Sequence, residues 1–157
     1  MDKCRSSSRL PSVSLEVILA QTDTTVGFFS QNPNKLLEIK KRTQTKPFLK
    51  LYSNFKTFLN DNNRVPHAKK NKVRRATKTT FIVKNQAFRI APNKLSSSFF
   101  RKYLWGYSTS ANLSGKSYDR EFAQAFADII IEDNNGLYEC VSSKIIKLSN
   151  TKQKRLR

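Results

Sequence analysis

The sequence predicts an α/β (α+β-like) protein built on a twisted, mixed, open sheet with helices packed on it. Three observations carry that expectation. Short apolar runs of strand length alternate with longer stretches that open on helix-capping residues. The connections between them are too irregular for a doubly wound parallel sheet. Eleven Phe and 5 Tyr give the core bulk, although only 38% of the 157 residues are hydrophobic. A chain of this length buries roughly 70% of its unfolded surface without staples.

Taken in order, residues 15–20 form a short apolar strand. Asn32 then offers a cap, Pro33 sits at the first helical position, and Leu36, Leu37 and Ile39 supply an apolar face. Residues 48–52 read as a second strand, after which Ser53 caps a helix through Phe55, Phe58 and Leu59. Residues 61–78 are polar, without an apolar period, and are expected as an exposed, mobile basic loop. Residues 79–84 and 87–90 are strands joined by a tight turn at Asn85-Gln86. A helix is expected over 95–104, with Trp105 in the core at its end and Gly106 as its stop. Ser117 caps the last helix through Phe122 and Phe126, and Asp119 and Glu121 complement its dipole. Residues 129–131 and 144–148 close the chain as strands. The expected organisation is a flexible lead-in over 1–11, one domain over 12–150 and a basic tail over 151–157.

Thirty Lys and Arg against 11 Asp and Glu leave a net charge of +19. That balance excludes an acidic binder and a carboxylate-rich calcium protein, and leaves a nucleic-acid partner, a polyphosphate substrate or a generally basic chain. Residues 61–90 alone contribute +8. Two cysteines, Cys4 and Cys140, with the single His67 build neither a disulfide framework nor a zinc site. Cys140 is expected as a small buried residue and His67 as an exposed spectator. No apolar run approaches the ~20 residues of a spanning helix, and the stretch at 17–20 is too short for a signal peptide. A cytoplasmic protein with no membrane partner is the expectation.

Three polar segments follow strands. Residues 21–27 (QTDTTVG) form a hydroxyl-rich turn, which either shapes the chain or presents donors to an anionic or zwitterionic ligand. Lys40-Lys41-Arg42 either complements a helix C-terminus or clamps phosphate, Arg as a planar fork and Lys as a point charge. Residues 108–115 (STSANLSG) concentrate hydroxyl and amide groups before a helix, where phosphates are held by hydroxyls and free N–H groups. The glycine and lysine spacing is not that of a P-loop.

Thr22-Asp23-Thr24-x-x-Gly27, Lys40-x-Arg42-x₄-Pro47, Phe88-Arg89-Ile90 and residues 108–115 occur in that order. Together they resemble the YrdC/YciO family of threonylcarbamoyl-AMP synthases over about residues 17–148. Thr80 stands alone from the family's next threonine-bearing segment, and Ser142-Ser143-Lys144 stands where the family has Pro-Ser-Thr. The resemblance implies a YrdC-like fold with an electropositive cavity. It also implies an enzyme that makes threonylcarbamoyl-adenylate and pyrophosphate from L-threonine, bicarbonate and ATP, with Mg²⁺ arriving on the ATP and no metal site of its own. Downstream threonylcarbamoyl-transfer proteins would then modify tRNA. By the same resemblance Lys40, Arg42, Ser110 and Asn112 are the catalytic set, with Thr80 and Arg157 joining them around ATP. Thr22, Thr24, Arg89, Thr109 and Ser143 would receive the threonine substrate. The alternative is a diverged relative that keeps the phosphate cradle and binds RNA (double-stranded RNA or tRNA) or a nucleotide without making the adenylate.

Overall fold

The computed structural model describes residues 16–41, 47–92 and 102–157. Nine strands form one sheet in the order β7-β1-β2-β6-β3-β5-β4-β8-β9. They are β1 (Ile18–Gln21), β2 (Val26–Ser30), β3 (Leu49–Tyr52), β4 (Thr79–Val83), β5 (Gln86–Ile90), β6 (Trp105–Ser110), β7 (Ile129–Ile131), β8 (Lys144–Leu148) and β9 (Gln153–Arg155). The pairs β1–β7, β3–β5 and β4–β8 are parallel and the other five antiparallel, so the sheet is mixed as expected.

Strand alternation sorts the side chains onto two faces. Leu19, Phe28, Tyr52, Phe88, Phe81 and Ile146 share one face, and α1 (Pro33–Lys40), α2 (Phe55–Asn60), α3 (Lys70–Arg75) and α4 (Arg120–Phe126) pack there. Leu36 and Ile39 of α1 and Ala123 of α4 join one cluster; Phe55 and Phe58 of α2 and Val73 of α3 join the other. The opposite face carries Gly27, Leu49, Leu51, Thr80, Arg89, Ser108, Ser110 and Ile145, all of which border one cavity. These four helices thus stiffen the sheet from one side, while the other side borders the cavity and also receives Tyr103 over Ile18, Phe29 and Leu51.

Local chemistry explains α1 as expected: Asn32 Oδ1 accepts from the Asn34 N–H, Pro33 opens the helix, and Lys41 ends it in the left-handed region at φ 47°. Elsewhere the structure differs from the sequence reading. Asn54 caps α2 in place of Ser53, accepting from Thr57 N at 2.9 Å. Asp119 caps α4 in place of Ser117, accepting from Phe122 N at 3.1 Å. Ser53 and Ser117 are competent caps too, but the helices begin at Phe55 and Arg120, so the residue immediately before each supplies the cap. Within 61–78, expected as a mobile loop, a 3₁₀ turn (His67–Lys69) leads into α3, held by fully buried Val73 and by Val65. The β4–β5 turn falls on Lys84-Asn85, both with positive φ (48° and 64°), the geometry of a type I′ hairpin.

Strand β2 was not anticipated at all. Most of the helix expected at 95–104 lies outside the described residues, but Gly106 is no helix stop: it sits inside β6 beneath the Phe29 ring. Residues 153–155, expected as tail, pair with β8 as edge strand β9. Cys140 is exposed rather than buried, and His67 is exposed as expected.

Candidate functional site

The cavity on the opposite face has a volume of about 430 Å³, within the range of small-molecule sites. Eight of the residues singled out from the sequence border it: Thr22, Thr24, Thr80, Arg89, Thr109, Ser110, Ser143 and Arg157. Lys40 and Asn112 meet Ser110 at the end of β6. Arg42 lies outside the described residues.

Arg89 organises one end. Its guanidinium is buried, and Nη1 donates to Asp23 Oδ1 at 2.9 Å and to Thr24 Oγ1 at 2.9 Å. Nη2 donates to Thr80 Oγ1 at 3.1 Å, while Nε is buried without a partner among the described residues. The second oxygen of Asp23 accepts from the Lys78 N–H at 2.8 Å, tying the 22–25 turn to β4. Burial lowers the Arg89 pKa from its ordinary value; Asp23 opposes that shift and the charge of Arg157 adds to it. The guanidinium nevertheless stays charged at any working pH. Arg89, expected to receive the threonine substrate, borders the cavity, with both terminal nitrogens also bonded to protein oxygens.

The turn before β2 is similarly constrained. Thr22 Oγ1 donates to Thr25 O at 2.7 Å and accepts from the N–H groups of Thr24 and Thr25 at 3.2 Å each. It also lies 3.2 Å from Thr24 Oγ1. With its hydroxyl used by the turn, Thr22 offers the cavity chiefly its methyl group, which lies 3.5 Å from where a Cβ on Gly27 would be. Gly27 itself is bare for a reason: that Cβ would stand 2.9 Å from the Thr109 carbonyl. In the register Thr109 pairs with Phe28, so its side chain belongs to the helix face and its backbone borders the cavity.

At the far end of β6, Lys40 is 3% exposed. Its Nζ donates to Asn112 O at 2.5 Å and Asn112 Oδ1 at 2.7 Å, and lies 3.4 Å from Ser110 Oγ. Ser110 Oγ donates to Asn112 Oδ1 at 2.6 Å, and Asn112 Nδ2 donates to the Lys116 carbonyl. Three residues expected to act together thus form one closed hydrogen-bonded triangle. On the β8 side, Thr80 and Ser143 oxygens are 2.9 Å apart, and Arg157 Nε donates to the Ser143 carbonyl at 3.1 Å. Among the described residues no group of three or more His, Cys, Asp or Glu converges as a metal site, and no helix is long and apolar enough to cross a membrane.

Sequence reasoning passed over Thr25, Ser108 and Ser142 as lining residues, though each lies in or beside a segment it singled out. It also passed over the pairing of Asp23 with Arg89. Only the acid inside a hydroxyl-rich turn hinted at that, because its partner is 66 residues away.

A twisted, mixed, open sheet with helices packed on it is the YrdC-like fold. No protein-family model matches the chain, and no curated protein matches it in sequence. Solved structures share the fold. Sua5 of P. abyssi, in its complex with L-threonine, is 17% identical with a TM-score of 0.72 over 90% of this chain and 50% of that one. YciO of E. coli is 17% identical with a TM-score of 0.68, over 90% of this chain and 82% of that. MTH1692 of Methanobacterium thermoautotrophicum is 17% identical with a TM-score of 0.65, covering 100% of this chain and 91% of that. The chain therefore spans about half the length of Sua5 and most of the length of the other two.

Proposed function

We propose that the chain is a threonylcarbamoyl-AMP synthase. The observation that carries this reading is the convergence of 22–25, of Thr80 and Arg89, and of 108–110 on one cavity that Arg157 also borders, with Lys40 bonded to its lining residue Ser110. The L-threonine-bound Sua5 structure supports threonine as a ligand of this fold.

In the proposed reaction the amine of L-threonine attacks the carbon of bicarbonate, water leaves, and a carbamate forms. A carbamate oxygen then attacks the α-phosphorus of ATP. The bond from that phosphorus to the bridging oxygen breaks, and pyrophosphate departs with its Mg²⁺. The residues bind, orient and stabilise charge; none needs to become a nucleophile. Lys40, with its ammonium fixed by Ser110 and Asn112, would stand against the developing negative charge, joined by Arg42. The Arg157 fork would hold a second anionic group. A hydrogen bond to a charged group contributes roughly 1.5–3 kcal/mol, so loss of one clamp residue should cost about one to two decades in rate or affinity.

The test is pyrophosphate release from ATP and Mg²⁺ with and without L-threonine and bicarbonate, beside a Lys40→Met variant. Release that needs both co-substrates and falls at least tenfold in the variant upholds the synthase. ATP binding without release refutes it.

A second reading rests on a different feature. The cations of α3, β8 and β9 form no ion pair among the described residues, and Lys147 lies directly across from Lys154. Such a surface suits an RNA backbone. Titration of a short RNA duplex at several salt concentrations checks it, each phosphate contact lowering the log–log slope by about 0.7 to 0.9.

A further inference from the structure

The hydroxyls at the β8 end of the cavity have little freedom over where their protons point. A guanidinium carries donors and no acceptor, so Thr80 Oγ1 must accept from Arg89 Nη2. The Thr80 and Ser143 oxygens lie 2.9 Å apart with both residues buried, and one hydrogen fits between them. With a cation against one side of the Thr80 oxygen, its own O–H turns away from that charge, toward Ser143. Ser143 Oγ then accepts from Thr80 and keeps its hydrogen. No other hydrogen bond joins that hydroxyl among the described residues, and the cavity is the space beside it. Arg89 Nε–H is also buried and unpaired, and Arg157 is anchored on the Ser143 carbonyl. This end of the cavity therefore presents donors.

We propose that Asp23, Arg89 and Thr80 form a positioning chain that makes Ser143 an obligate hydrogen-bond donor. This end of the cavity then takes an oxyanion, a carboxylate or a phosphate, in preference to a neutral group of the same shape. Asp23 fixes the guanidinium, the guanidinium fixes the direction of the Thr80 hydroxyl, and Thr80 fixes that of Ser143. Thr80, expected among the ATP contacts, acts here through its neighbour. The inference rests on reading the cavity as a substrate site and deepens it, because it says which chemistry each end accepts. A carboxylate offers two charged acceptors to the donors present. An amide offers one neutral acceptor and turns an N–H toward them.

Calorimetric titration of the full chain with L-threonine, L-threoninamide and inorganic pyrophosphate tests the chain of hydroxyls. The proteins are the parent, Ser143→Ala, Thr80→Val and Thr80→Ser. One of the two oxyanions should lose about tenfold to a hundredfold in affinity in both Ser143→Ala and Thr80→Val, the weight of one hydrogen bond to a charged group. The other should change less than about threefold, and which one falls identifies the source of the oxyanion. Thr80→Ser, which keeps the hydroxyl, should stay within about threefold of the parent. If the source is the carboxylate, L-threoninamide should bind the parent at least about tenfold more weakly than L-threonine.

The inference is overturned if Ser143→Ala binds both oxyanions like the parent, if Thr80→Ser falls as far as Thr80→Val, or if neither oxyanion binds the parent. If Thr80→Val does not fold, Ser143→Ala and Thr80→Ser decide the same question. Pyrophosphate release is scored separately. Selective loss of an oxyanion in a chain that releases no pyrophosphate upholds the positioning chain and refutes the synthase. Undiminished release and unchanged KM in Ser143→Ala does the reverse.

Discussion

Removing the Asp23 carboxylate should be among the most damaging single changes in the described chain. Asp23 and Arg89 are joined at 2.9 Å, and each side chain is only 8% exposed. Asp23→Ala leaves the guanidinium buried with two threonine hydroxyls as its acceptors and deprives the Lys78 N–H of its own. Breaking a buried pair from one side costs about 3–5 kcal/mol, because the remaining charge is uncompensated. At about 2–4 °C per kcal/mol for a chain of this size, the melting midpoint should fall by roughly 6–20 °C. Asp23→Asn keeps neutral acceptors and should lose about 1–3 kcal/mol. Combining Asp23→Leu with Arg89→Met removes both charges and should recover much of the loss, giving a coupling energy that a double-mutant cycle reads directly. Urea unfolding followed by circular dichroism measures all of these. An Asp23→Ala protein within about 1 kcal/mol of the parent, or a cycle with no coupling, would refute the claim that this pair is a desolvated unit.

A methyl group at Gly106 would overlap Phe29 Cζ and fall 2.7 Å from both Cε atoms. Gly106→Ala should therefore displace that ring and cost about 1–3 kcal/mol in the same unfolding assay. Asp119→Ala should destabilise the protein by about 1 kcal/mol through loss of the α4 cap, whereas Ser117→Ala should change it by less than about 0.5 kcal/mol. Asp128 accepts from the Val17 N–H and pairs with Lys35, which together hold its carboxyl below the ordinary value. Its contribution to stability is then present above the unfolded value near ~3.9 and is lost as pH falls through the lower folded value. Melting midpoints between about pH 6 and pH 2.5 should show that acid limb, and Asp128→Asn should make it shallower.

What could be read from the sequence depended on how local the determining physics was. α1 was legible because cap, proline and apolar stripe all lie within eight residues. α3 was not, because a helix with one apolar residue has no period to detect; what orders it is Val73 joining a cluster whose members run from Tyr52 to Leu148. Strand β2 was hidden by its own burial: all five residues of VGFFS are buried, so it lacks the alternation of a half-exposed strand. The site was legible in its parts, since hydroxyl clusters after strands are conspicuous and their order resembled a known pattern. Its wiring was not. That Thr22 spends its hydroxyl on its own turn, and that Arg89 divides its fork between Asp23, Thr24 and Thr80, are facts of three-dimensional placement that composition and spacing do not encode.

The cavity walls come from the opening hairpin, the β4–β5 hairpin, β6 and the final strand pair, so the two ends of the described chain meet around one volume. The β1–β7, β2–β6 and β4–β8 pairs each join residues more than 60 positions apart. Such pairings form late, because loop-closure entropy must be overcome before they contribute. Individual helices and the β4–β5 hairpin can form early and still leave nothing able to hold a ligand. Binding competence should therefore appear with the slowest refolding phase. A ligand that stabilises the protein should act almost wholly on the unfolding rate, leaving the folding rate nearly unchanged.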